Sequence, residues 1–89
     1  MLRITKIAEN GSSVTLKLEG SIHADWVSLL EEECRILLSQ KKTVLLDFSN
    51  VTFMGHRGVE MIRRLPARRI RIVNGDAFIE DLKDREGKP

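Results

Sequence analysis

The chain has 89 residues, which is enough for one domain, residues 1–89, with a single hydrophobic core. Its 42% hydrophobic and 31% charged residues are typical of a soluble globular protein, and no apolar run approaches the ~18 residues of a membrane span. The single cysteine excludes an internal disulfide framework and fits a reducing cytoplasm. Together with the short length and the short apolar runs, it leads us to expect a cytoplasmic protein without membrane insertion. A secreted scaffold and a large enzyme are excluded.

The first two elements are predicted to be the strands of an antiparallel hairpin. Leu2 and Ile4 alternate with polar residues, and Asn10-Gly11 is a strong turn signal because both residues tolerate a positive φ. Hydrophobic residues then alternate with polar ones from Val14 to Leu18, as in a half-buried strand.

The segment from about Ala24 to Gln40 is predicted to be a helix. Its hydrophobic residues recur at helical spacing and gather on one arc, formed by Trp26, Val27, Leu30, Cys34, Leu37 and Leu38. Leu29 and Ile36 lie beside that arc. They predict an exposed apolar patch, which suits a partner or a second copy of the chain in a homodimer. Cys34 is predicted to be a buried, unreactive thiol.

Two further strands alternate with helices in the remainder of the chain. The predictions are a strand at Thr43–Phe48, a helix at Arg57–Leu65, a strand at Arg69–Val73, a short helix with Phe78, Ile79 and Leu82, and a frayed polar tail at 84–89. The order is therefore ββαβαβα. Because parallel crossovers are right-handed, we expect a two-layer α/β domain with a four-stranded mixed sheet and helices mainly on one face.

Two motifs of the chain resemble those of the STAS domain, the fold of bacterial anti-sigma factor antagonists and of the cytoplasmic tails of sulfate transporters. The family's Gly-x-Leu-Asp-Ala is similar to Gly20-Ser21-Ile22-His23-Ala24. Its later strand and phosphorylatable Asp-Ser-Ser-Gly loop are similar to Leu46–Phe53 followed by Gly55-His56-Arg57-Gly58. The resemblance covers about residues 14 to 82. It implies a non-enzymatic module without a cofactor that binds a kinase-like anti-sigma factor, a transporter subunit or a second copy of itself.

The chain departs from the family at the phosphoacceptor serine, which is His56 here. Gly55 replaces the acidic residue before it, Arg57 replaces the following Ser or Thr, and His23 replaces the Asp of the earlier loop. We therefore expect protein docking without control by serine phosphorylation. The predicted partner-binding surface joins both loops to the exposed face of the second helix, and it contains Ile22, His23, Asp25, Met54, Gly55, His56, Arg57, Glu60 and Arg64.

The loop from Met54 to Gly58 opens the second helix, whose first amide hydrogens favour anions. Arg57 adds a positive charge, so we expect the loop to bind a carboxylate or phosphate of a partner. The alternative is that Gly55 and Gly58 only permit the turn and close helix–strand packing.

A second hypothesis is a small-ligand or metal sensor that uses the same loops. His23 and His56 follow neighbouring parallel strands, and Asp25 and Asp76 lie at the same end of the predicted sheet. Two imidazoles with a carboxylate suit a divalent ion such as zinc, which makes His23, His56 and Asp76 the candidate ligands. No CxxC or HxxxH spacing supports such a site, so we favour the absence of a metal.

Nucleic-acid binding is the remaining alternative. The net charge is +2, but five arginines fall between residues 63 and 71, at Arg63, Arg64, Arg68, Arg69 and Arg71. The predicted elements divide them among an outer helix face, a loop and the open sheet face, which disfavours nucleic acid as a partner. No Walker loop, nucleophile elbow or HExxH occurs, so catalysis has no candidate residues.

Overall fold

Four strands and two α-helices form the part of the chain that the computed structural model describes, residues 1–78. The elements are β1 (Leu2–Glu9), β2 (Ser13–Ile22), α1 (Asp25–Ser39), β3 (Thr43–Met54), α2 (His56–Arg64) and β4 (Ile70–Val73), followed by a 3-10 turn (Asp76–Phe78). The predicted continuation of the last helix through Ile79 and Leu82, and the predicted frayed tail at 84–89, lie outside the described residues.

The strands form one sheet with the spatial order β1-β2-β3-β4. β1 pairs antiparallel with β2, whereas β3 is parallel to both β2 and β4. At the hairpin turn, Asn10 Oδ1 accepts hydrogen bonds from the backbone N–H groups of Ser12 at 2.8 Å and Ser13 at 2.9 Å. This side chain therefore stabilises the turn that the Asn-Gly pair predicted. The mixed four-stranded sheet is confirmed.

A single core joins both helices to one face of the sheet. Alternate strand residues are buried there, because successive side chains of a strand point to opposite faces. The core contains Val14, Leu16, Leu18 and Ile22 of β2, Val44, Leu46, Phe48 and Met54 of β3, Val27, Leu30, Cys34 and Leu37 of α1, and Met61 and Ile62 of α2, with Leu2, Leu65 and Ile70. The two-layer α/β architecture predicted from the sequence is confirmed.

Strand β3 is longer than its apolar pattern predicted. The prediction ended at Phe48, but the strand runs to Met54 because its second half pairs with the end of β2, where Glu19 lies opposite Asn50 and Ile22 opposite Met54. Two irregularities in the β2–β3 register interrupt the alternation of side chains. β4 pairs only with Val44 to Asp47. The extension brings the carboxyl end of β3 next to the carboxyl end of β2.

Gly20 is required by a close backbone contact between β2 and the first residue of the chain. Its φ is +107°, and a Cβ there would collide with the carbonyl oxygen of Met1. That oxygen accepts a hydrogen bond from the Ser21 N–H at 2.8 Å. Any larger side chain would therefore break the Met1–Ser21 contact and strain the backbone.

Lys42 ties together the amino ends of the parallel strands. Its Nζ donates to the Asn10 carbonyl at 2.6 Å and lies 3.0 Å from Glu9 Oε2, while the Lys42 carbonyl accepts a bond from Arg69 Nη2 at 2.8 Å. Hydrogen bonding to Lys42, and secondly to Lys6, lowers the pKa of the Glu9 carboxyl. One of the five clustered arginines is thus a structural cross-link at this end of the sheet.

On the face opposite the helices, Asp47 connects β3 to the turn after β4. Its Oδ1 accepts hydrogen bonds from Asn74 Nδ2 at 3.0 Å and from the Ser49 N–H at 2.9 Å. These bonds, the Asn74 bond first, lower the pKa of the Asp47 carboxyl. Among residues 1–78, no helix is both long and apolar enough to cross a membrane.

Candidate functional site

Two loops lie side by side at the carboxyl ends of β2 and β3. Ile22 ends β2 and pairs in register with Met54, which ends β3. The Gly55 N–H donates to the Ile22 carbonyl at 2.9 Å, so the loop that opens α2 is bonded to the end of β2. The predicted proximity of the two loops is therefore found, at the sheet end where open α/β folds tend to bind ligands.

Two glycines allow α2 to begin close to β2. A Cβ on Gly55 would lie 3.2 Å from the His23 Cβ. Gly58 is buried, and a Cβ there would lie 3.0 Å from both Cγ2 and the carbonyl oxygen of Ile22. The structure supports the packing role that the sequence suggested for both glycines.

Two of the predicted partner-binding residues belong to the core. Ile22 is fully buried and Met54 is 8% exposed, because both face inward from paired strands. Their side chains pack in the core at the base of the two loops, and they offer a partner almost no accessible surface. The other predicted side chains are exposed, namely His23, Asp25, His56, Arg57, Glu60 and Arg64.

Phe53 is an exposed aromatic residue that the sequence reasoning did not single out. Its side chain is 52% exposed, and the His23 ring meets it edge-on, with ring centroids 5.7 Å apart and an angle of 81° between the planes. A strand extended to Met54 would have predicted this exposure, since neighbouring strand residues face opposite sides. Phe53 and His23 therefore form an aromatic patch beside the start of α2.

The first turn of α2 has no side-chain cap. Gly55 precedes the helix in an extended conformation, and no side chain bonds to the first amide groups. Arg57 is exposed in the same turn. Unpaired amides, the positive end of the helix dipole and a guanidinium all favour a negatively charged group at this position.

His56 stands at the position of the family's serine, and its side chain is 83% exposed. Its Nε2 lies 2.9 Å from Glu60 Oε2, one helical turn further along α2. The imidazole is thus bound to its own helix, and the pair is an ion pair only when His56 is protonated.

Arg64 is engaged in a link between the two helices. Its Nη2 lies 3.1 Å from Glu31 Oε1 on α1, and Arg35 Nη2 lies 2.9 Å from Glu31 Oε2. Hydrogen bonding to Arg35, and to a smaller extent the charge of Arg64, lower the pKa of the Glu31 carboxyl. Arg64, which the sequence predicted to contact a partner, therefore forms an ion pair that links α2 to α1.

The alternative of a metal site formed by His23, His56 and Asp76 finds no support among the described residues. Nowhere between residues 1 and 78 do three or more His, Cys, Asp or Glu side chains form a group that could hold an ion. The physical reason is local, because His23 packs on Phe53 while His56 pairs with Glu60.

Comparison with known proteins identifies the fold. No protein-family model matches the sequence, and no curated protein sequence is similar enough to be a relative. The structure is similar to the crystal structure of an anti-sigma factor antagonist from Mycobacterium paratuberculosis, with a TM-score of 0.72 and 13% sequence identity over 97% of this chain and 82% of that one. It is also similar to the anti-sigma factor antagonist SpoIIAA in its unphosphorylated form, with a TM-score of 0.55 and 14% identity over 91% of this chain and 64% of that one. The chain therefore has the fold of the STAS domain, which its sequence motifs indicated and which these anti-sigma factor antagonists share.

Proposed function

We propose that this chain is a non-enzymatic protein-docking module of the anti-sigma factor antagonist type. The observation that carries the proposal is the aromatic patch of His23 and Phe53 beside the uncapped start of α2, where Arg57 is exposed. Aromatic residues and arginine are enriched at protein interfaces. We call this the docking surface and define it as His23, Asp25, Phe53, Gly55, His56, Arg57 and Glu60.

The docking surface suits a partner segment that carries a carboxylate next to an apolar side chain. The free amides of α2 and the Arg57 guanidinium would receive the carboxylate, while Phe53 would pack against the apolar group. The fold of the two anti-sigma factor antagonists supports the choice of a protein partner, and a kinase-like anti-sigma factor in the cytoplasm is the partner we propose first.

Serine phosphorylation would not control this docking. The segment from Gly55 to Gly58 contains no hydroxyl group, and the imidazole that replaces the serine is paired with Glu60. Cys34 offers no catalytic nucleophile, because its thiol pKa is raised to about 12, by burial first and then by the charges of Glu33 and Glu31. Such a thiol is not a nucleophile at neutral pH.

Affinity purification from the source cells tests the proposal with a matched pair of charge reversals. Arg57→Glu places a carboxylate where the partner's anion would lie, so recovery of the partner is expected to fall about tenfold or more. Arg71→Glu is the control, because it makes the same charge change on the face of the sheet opposite the helices. Both variants should keep the circular dichroism spectrum of the wild type.

A second pair of variants tests the apolar part of the docking surface. Phe53→Ala is expected to weaken recovery, whereas Ile7→Ala on β1 removes a side chain of similar exposure, 51% against 52%, and should not. Recovery of a kinase-like protein would support sigma-factor regulation, and recovery of a transporter subunit would assign an adaptor role instead. If Arg57→Glu and Phe53→Ala both retain the partner fully, these loops are not the interface.

A further inference from the structure

A second, chemically different surface lies on α1. Leu29 and Ile36 are 50% and 47% exposed, although both are large aliphatic residues. They are seven residues apart, which places them on the same side of the helix and about 10 Å apart along its axis. Glu32 and Glu33 lie between them and are also exposed. We call these four residues the α1 stripe.

The two glutamates of the α1 stripe carry uncompensated negative charge. Neither forms a salt bridge within residues 1–78, whereas their neighbour Glu31 is bound by Arg35 and Arg64. The stripe is therefore acidic and apolar, while the docking surface combines aromatic residues with an arginine. The stripe shares no residue with the docking surface, and its exposed charges are all negative.

A second copy of the chain does not fit the α1 stripe. Antiparallel packing of two α1 helices about a two-fold axis would place Leu29 against Ile36 of the other copy. It would also bring Glu32 and Glu33 against Glu33 and Glu32 of that copy. Parallel packing in register brings the like charges together in the same way. Like charges facing each other across an interface oppose association, whereas a basic occupant would complement the two glutamates.

We propose that the α1 stripe binds a cationic amphipathic helix of a partner protein. Apolar side chains one heptad apart on that helix would pack on Leu29 and Ile36, and lysines or arginines between them would pair with Glu32 and Glu33. Binding at the α1 stripe does not depend on the function proposed for the docking surface. The chain would hold one partner at the docking surface and a second one on α1.

A designed peptide provides the probe. It is a short fluorescein-labelled helix with two leucines seven positions apart and lysines between them, and its matched control replaces each lysine by glutamate. Fluorescence anisotropy with the full chain should show binding of the lysine peptide only. The double variant Leu29→Ser/Ile36→Ser is expected to weaken that binding about tenfold or more. Glu32→Gln/Glu33→Gln should weaken it and reduce its dependence on salt.

Two control variants separate this proposal from its alternatives. Ile7→Ser removes an equally exposed aliphatic residue from β1 and should leave peptide binding unchanged, as should Arg57→Glu, which tests the docking surface alone. Absence of peptide binding, or equal binding by Leu29→Ser/Ile36→Ser, would overturn the proposal. So would a wild-type dimer in sedimentation that this double variant dissociates, since a second copy would then occupy the stripe.

Discussion

Gly58→Ala sets two physical effects against each other at the start of α2. Alanine is favoured over glycine inside a helix by up to about 1 kcal/mol, which alone would stabilise the variant. The new Cβ, however, would lie 3.0 Å from Cγ2 and the carbonyl oxygen of Ile22 and 3.2 Å from Cγ of Met54. Both neighbours are buried, and the Ile22 carbonyl also holds the Gly55 N–H, so neither can move without loss of a contact.

Overpacking of this kind costs about 1–3 kcal/mol, so we expect the steric effect to exceed the gain in helix propensity. Gly58→Ala should lower the free energy of unfolding by about 1 kcal/mol, which corresponds to a drop in Tm of about 5 °C for a domain of this size. Because the start of α2 shifts relative to the end of β2, recovery of the docking partner should fall as well.

Urea denaturation of three proteins provides the measurement. Gly11→Ala in the hairpin turn is the control, because no atom lies within 4 Å of its added Cβ, and it should be as stable as the wild type or slightly more so. If Gly58→Ala proves as stable as the wild type, close packing against Ile22 does not position α2, and the reasoning about this glycine is wrong.

Three further predictions concern the side chains of Cys34 and Asp47 and the loop that opens α2. Cys34 should react with a thiol reagent only as fast as the protein unfolds, because burial raises its thiol pKa to about 12; rapid reaction of the native protein would contradict this. Asp47→Asn should lower the free energy of unfolding by about 1 kcal/mol or less at pH 7, because the group is partly solvent-exposed. Since the folded-state pKa of Asp47 is lowered, its contribution is complete above the unfolded pKa of about 3.9 and disappears as the pH falls below it, so urea curves of the two proteins should converge in acid. A serine kinase that acts on anti-sigma factor antagonists should leave the segment from Met54 to Gly58 unmodified in mass spectrometry, and a phosphate there, even on His56, would refute the proposed loss of the switch.

The elements that the sequence predicted best are those with one face in the core. α1 was predicted from Ala24 to Gln40 and runs from Asp25 to Ser39, and α2 was predicted from Arg57 to Leu65 and runs from His56 to Arg64. Burial of one side imposes a period on the hydrophobic residues, and this period is what a single sequence displays.

The second half of β3 shows where that signal ends. Ser49, Asn50 and Thr52 are exposed, and the irregular pairing with β2 interrupts the alternation, so nothing in the sequence marks this stretch as a strand. The same stretch determines the site, since it turns Phe53 outward and Met54 inward. The aromatic patch was consequently missed, and the surface available at Met54 was overestimated.

The histidines show a different limit. Strand order predicted correctly that the loops carrying His23 and His56 are neighbours, because topology follows from the order of the elements. The directions of the two rings depend on Phe53 and Glu60, which are nearby partners that the spacing of the histidines does not reveal. Adjacency of loops was therefore predictable, and convergence of side chains was not.

The sheet order β1-β2-β3-β4 also has a consequence for how the chain reaches its native state. Within residues 1–78, each strand after β1 pairs with the strand that precedes it in the sequence, and none is inserted between two others. During synthesis the hairpin can form first, and each later strand can then be added to an edge that already exists. Contacts between neighbouring elements shorten the loops that must close, and short closures favour rapid folding. We therefore expect the domain to assemble from its amino terminus onward, without having to open a sheet that has already formed.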